Sequence, residues 1–126
     1  MPAEPADSFR PVFVLGTGRC GSTLLHEILA RHRGVAFISN LEDRLALPPA
    51  AGLLNGHVHR ALPPRAARKG GVRFAPSEGY NALAREVSPL LVDPERDLLA
   101  ADASPWLASR MQTFFRRRAE MQRSPV

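Results

Sequence analysis

Hydrophobic positions change their period twice in the first forty residues. Val12-Phe13-Val14-Leu15 is a continuous apolar run, β-branched at two places and closed by Gly16. That is the pattern of a short strand covered on both faces. From Leu24 the spacing turns helical: Leu24, Leu25, Ile28 and Leu29 share one face, Glu27 and Arg31 form an exposed i,i+4 pair, and Gly34 stands where the helix should stop. Val35 to Ile38 is a second short apolar run. Strand, glycine loop, helix and strand predict a βαβ unit over residues 11–43, with a right-handed crossover.

Past Leu45 the periodicity dissolves. Two Pro-Pro pairs and scattered glycines predict a long loop over residues 44–77 with at most short helical pieces. Arg60, Arg65, Arg68, Lys69 and Arg73 fall in it without an acidic residue. They read as a solvated basic loop, or alternatively as contacts for an acidic acceptor or a phosphate. The region 78–126 reads as helical. One segment spans about Glu78 to Leu91, Asp93-Pro94 is a helix-start signal, and Ser104-Pro105 repeats it. The last segment runs to about Met121, with Leu107, Met111, Phe114 and Phe115 on one face and Arg116 to Arg118 mostly on the other. Trp106 and the Phe114-Phe115 pair are expected to anchor the core. No third strand is evident, and two parallel strands are too few for an α/β core.

With 126 residues, 44% hydrophobic and 23% charged, the composition suits one soluble globular domain. Seventeen basic residues, all but one of them arginine, face 12 acidic ones for a formal charge of +5. That balance fits an anionic partner. Cys20 is the single cysteine, which excludes an internal disulfide framework and fits a reducing compartment. Residues 1–10, acidic and proline-rich, predict a flexible N-terminus rather than a signal peptide, and no apolar run approaches membrane-span length, so a cytoplasmic location is expected. His57 and His59 could place two imidazoles on one side of an extended segment, but no third ligand has compatible spacing, and no metal is expected. His26 is expected at the surface.

The chemical interest lies in Gly16-Thr17-Gly18-Arg19-Cys20-Gly21-Ser22-Thr23. A glycine loop that feeds a strand into a helix presents unpaired N–H groups and the positive end of the helix dipole, which suits an anion. Gly16, Gly18 and Gly21 match the dinucleotide fingerprint, with Glu42 or Asp43 at the distance of a ribose-binding acid. Gly16, Gly21 and Thr23 also fit a P-loop, but Ser22 stands in the lysine position and the cation comes earlier, at Arg19. A plain tight turn explains neither Arg19 nor the Ser22-Thr23 pair.

The stretch TGRCGSTLL, inside PVFVLGTGRCGSTLLHEILARH and followed by GVAFISNLEDR, resembles the opening of the bacterial branch of the sulfotransferases that use 3′-phosphoadenosine 5′-phosphosulfate (PAPS). A fainter similarity continues through SPWLASRMQTFFRRRAEMQ. The resemblance implies an α/β, P-loop-like three-layer fold, here incomplete: one βαβ unit followed by mainly helical segments. It also implies a loop in which Gly18, Arg19, Cys20, Gly21, Ser22 and Thr23 hold the 5′-phosphate. Arg19 would stand beside the oxygen that bridges phosphate and sulfate. Cys20 and Ser22 replace the family's usual serine and threonine, and both keep the side chain small. Cys20 reads as a small filler, with an oxidisable thiol as the alternative. Glu42 occupies the place of a general base that would deprotonate an acceptor hydroxyl or amine; the alternative is a solvated Glu42-Asp43 pair beside Arg44. The family's second cofactor grip, an arginine and a serine on the 3′-phosphate, has no counterpart before Val126, so the expectation is a truncated, single partial domain that lacks the 3′-phosphate site. Two other readings stay open. One is a non-catalytic nucleotide or oxyanion binder that needs a second chain to complete the sheet. The other is a small basic polyanion-binding protein, with nucleic acid not favoured.

Overall fold

The computed structural model describes residues 9–63 and 75–123. Helices dominate them: α1 (Ser22–Ala30), α2 (Asn40–Leu45), α3 (Leu53–Ala61), α4 (Tyr80–Glu86) and α5 (Pro105–Arg123), with short 3₁₀ turns at Pro49–Gly52, Pro89–Val92 and Ala100–Asp102. The expected strands are absent among the described residues. Residues 12–15 and 35–38 are extended but form no ladder, and the β-pairing is limited to one isolated antiparallel bridge, Ser39 to Pro76. The βαβ unit is thus reduced to its helix and loop. The physical reason is the one the pattern anticipated: without further strands a two-stranded parallel sheet does not hold.

A side chain takes the place of the missing neighbour strand. Gln122 on α5 accepts the Phe37 N–H (2.9 Å) and donates to the Phe37 carbonyl (2.6 Å), which is the exchange an adjacent strand would make. Around the bridge, Ser77 N–H donates to the Ile38 carbonyl and Asn40 N–H to that of Ala75. Burial therefore stops at Phe37, Ile38 and Ser39, while Val12, Phe13 and Leu15 stay exposed, Leu15 at 89%. The face of α1 expected to pack inward is likewise open, with Leu24, Leu25 and Ile28 exposed and Ala30 the buried residue of the helix. No Glu27–Arg31 ion pair forms among the described residues; Arg31 instead donates to the Leu62 carbonyl (3.3 Å).

The core lies between α4 and α5. Ile38, Ala82, Val87, Leu107 and Phe114 form it, and Leu83, Leu91, Met111 and Phe115 pack against it. Local chemistry sets the boundaries of these helices. Ser39 caps α2 by accepting from the Glu42 N–H (3.2 Å), and Ser104 caps α5 by accepting from the Leu107 N–H (3.2 Å). Before α4 stands Gly79 at φ 74°, and a Cβ there would come within 2.7 Å of Ile38 Cδ1. Only glycine fits that approach.

Four expectations change in this half of the chain. Residues 53–61, expected within a loop, form α3, whose buried residues are Asn55, Gly56 and His59. A helix whose buried stripe is polar leaves no hydrophobic period to read. Asp93-Pro94 starts no helix; Asp93 instead accepts from the Glu95 N–H (2.9 Å) in a turn. Trp106 is exposed rather than a core anchor, and Arg118 lies on the buried face of α5. Residues 1–8 of the expected flexible N-terminus, and Arg65, Arg68, Lys69 and Arg73 of the basic stretch, lie outside the described residues.

Candidate functional site

The glycine loop turns from the extended segment into α1 and is exposed along residues 16–21. Its turn closes when Cys20 N–H donates to the Thr17 carbonyl (3.2 Å). Two of the glycines answer different demands. A Cβ on Gly16 would run into Cys20 Sγ, and Gly21 sits at φ 89°, in the left-handed region. A Cβ added to Gly18 would meet nothing within 4 Å, and its φ is not left-handed. The chain's own folding therefore explains Gly16 and Gly21 but not Gly18. Arg19 is left-handed as well, at φ 63°, a conformation that costs a side-chain-bearing residue roughly 1–2 kcal/mol.

No side chain caps α1, and the first backbone bond into it is Leu25 N–H to the Gly21 carbonyl (3.0 Å). The N–H groups of the first turn, at Ser22 to Leu24, thus have no side-chain cap. The first turn contains no acidic residue to occupy it, and Cys20 is a free, exposed thiol. A helix start so arranged favours negative charge in general.

Glu42 and Asp43, expected either as a base or as a solvated acidic pair, are both buried. Glu42 is 1% exposed, and its Oε1 takes the Arg118 Nε (2.9 Å) and Nη2 (2.7 Å). Its Oε2 takes Asn55 Nδ2 at 3.1 Å. Arg118, itself 3% exposed, also grips Glu86 through Nη1 (3.1 Å) and Nη2 (2.7 Å) and lies over the Phe114 ring. Asp43 accepts from the Ala82 N–H (2.7 Å), Asn81 Nδ2 (3.0 Å) and Ser77 Oγ (3.3 Å), which ties α2 to the start of α4. Arg85 returns from α4 to the carbonyls of Asp43 (2.7 Å) and Glu42 (3.2 Å). The acidic pair is thus the hub that joins α2, α3, α4 and α5, while Arg44 is exposed. Sequence reasoning missed Arg118, Asn55 and Gln122. The available signal was an arginine at the i+4 position from Phe114, on the apolar face of α5.

Among the described residues no group of three or more histidine, cysteine, aspartate or glutamate side chains is set to hold a metal ion. α3 turns His57 outward and His59 inward. His59 is fully buried, edge-on to Phe37 (centroids 5.4 Å apart), with Nε2 3.4 Å from the Glu27 carbonyl and Nδ1 without a partner among the described residues. Burial, and secondarily the nearby Arg31, hold its pKa below the ordinary histidine value. His26, expected at the surface, is half-buried, and burial lowers its pKa too. No helix among the described residues is long and apolar enough to cross a membrane.

No curated protein and no solved structure matches the chain. A family model does match, that of the sulfotransferase family, over residues 11–75. The match begins before the glycine loop and runs through α1, α2 and α3 to Ala75, the residue before Pro76. It spans just over half of the 126 residues and contains both the exposed loop and the buried acidic pair, and on that ground the chain belongs to the sulfotransferase family.

Proposed function

We propose that residues 18–23 are the 5′-phosphosulfate-binding loop of a PAPS-dependent sulfotransferase, which transfers a sulfuryl group to an acceptor hydroxyl or amine. The observation that carries the reading is the uncapped start of α1 beside an exposed, left-handed Arg19. In the P-loop-like architecture of the family, the backbone N–H groups of residues 18–23 and the hydroxyls of Ser22 and Thr23 bind the phosphate, and the exposed Cys20 keeps the loop side chain small beside Gly16. Arg19 holds a fixed positive charge at the oxygen that departs from sulfur, where negative charge grows as transfer proceeds. PAPS supplies the activated sulfuryl group; the chain supplies position and charge. Proton removal by Glu42 requires Arg118 and Asn55 to release its carboxylate, so a base role belongs to an opened state of that network.

A second reading keeps binding without turnover, with another chain completing the sheet. It is favoured by the exposure of Val12, Phe13 and Leu15, which are apolar on both sides of an unpaired extended segment. Calorimetric titration with 3′-phosphoadenosine 5′-phosphate tests the loop in either case. Binding is expected in the wild type and should weaken about tenfold or more in Arg19→Ala. Absence of heat at millimolar ligand overturns the loop as a self-sufficient site.

A further inference from the structure

We propose that the groove between the end of α4 and the outer face of α5 is a second oxyanion site, which takes the tetrahedral head of a sulfate or phosphate monoester. It is separate from the glycine loop and goes beyond the function proposed above. The groove measures about 410 Å³ and is lined by Glu86, Ser109, Arg110, Thr113, Phe114 and Arg117. That volume is in the range of small-ligand sites.

Its lining is built for negative charge. Ser109, Thr113 and Arg117 follow one another at i, i+4 and i+8, so two hydroxyls and a guanidinium share one stripe of α5. Arg110 is fixed in place, since its Nε donates to the Val87 carbonyl (3.0 Å), its Nη2 reaches the Glu86 carbonyl, and its guanidinium stacks on the Trp106 ring at 5.1 Å. These partners are neutral, so the positive charge of Arg110 stays available while its rotamer is already ordered, which lowers the entropic cost of binding. Glu86 is the one acid in the lining, and both its oxygens are held by Arg118 (2.7 and 3.1 Å). Arg117 engages no hydrogen bond, ion pair or ring among the described residues. An exposed guanidinium with no ion pair among the described residues, beside a second one locked in place, offers an anion two cations.

The chain's single tryptophan, Trp106, stands one turn before Ser109 and stacks on Arg110, so its fluorescence reports on the groove. The test uses the full chain carrying Arg19→Ala, which disables the loop, titrated at low ionic strength with phenyl phosphate, phenyl sulfate and a matched chloride control. Both fluorescence and heat are recorded. Saturable binding of one or both monoesters, weakened tenfold or more by adding Arg117→Gln and to a smaller extent by Thr113→Val, supports the site; the tighter monoester identifies its natural class. Arg117 and Thr113 are exposed, so these variants keep the fold. No saturable heat in the Arg19→Ala protein, or binding indifferent to Arg117→Gln, overturns the site. Because the loop is already disabled, its own failure to bind nucleotide in the wild type is a separate result.

Discussion

At the scale of the residue, Arg19 and Glu42 show opposite relations between stability and function. Arg19 holds a left-handed conformation without any buried contact that would require it. Replacement by glycine relieves the strain and gives back part of the gain as backbone entropy. Arg19→Gly should therefore leave the chain as stable as the wild type or about 0.5 kcal/mol more stable in urea melts, while binding of 3′-phosphoadenosine 5′-phosphate is lost. For Glu42 the expectation is reversed. Glu42→Gln leaves a buried guanidinium short of one counter-charge and should lower stability by about 3 kcal/mol. The double variant Glu42→Leu/Arg118→Met should recover part of that loss, because the charge is then removed with its partner. Arg19 stands out in the sequence because a tight turn by itself does not call for an arginine among small loop residues. The partner of Glu42 does not stand out, because a carboxylate and a guanidinium 76 positions apart leave no local trace.

Elements were legible where their own chemistry specifies them. The Ser104-Pro105 start of α5 and the glycine entry to α1 follow from capping rules. The short apolar runs at 12–15 and 35–38 carry the strand pattern, yet a strand is a property of its neighbours, and Gln122 is the neighbour that one of them found. Gln122→Leu withdraws the partner of the Phe37 N–H and one of the two partners of its carbonyl, the other being Asn55. A loss of about 1–3 kcal/mol in urea melts is expected. α3 escaped notice because His59 and Asn55 are its buried side chains, and His59 has a consequence of its own. With its folded pKa depressed, the unfolded chain takes up a proton near pH 6.5 that the folded chain resists. Stability should thus be full above that pH and decline as pH falls below it. His26 shifts in the same direction, so the decisive comparison is between wild type and His59→Gln, whose melts at pH 7.5 and 5.5 should differ less than those of the wild type.

Across the whole molecule, apolar surface is spent unevenly. The interior is a small cluster between α4 and α5, whereas Val12, Phe13, Leu15, Leu24, Leu25 and Ile28 face outward at the start of the chain. Exposed apolar surface on this scale drives association. Leu15→Lys combined with Ile28→Lys should raise the monomer fraction in sedimentation velocity and move the urea midpoint little, because neither side chain is buried. The contacts that close the interior are long in sequence: Arg118 reaches back 76 residues to Glu42, and Gln122 reaches back 85 to Phe37. During synthesis, then, Glu42 and the Phe37 backbone lack their partners until α5 has been translated and has cleared the ribosome. Closing so long a loop must precede any gain from these bonds. The half of the chain that carries the glycine loop is made first, yet Glu42 and the Phe37 backbone wait for α5, and a nascent chain halted before Arg118 is expected to be a substrate for chaperones and proteases.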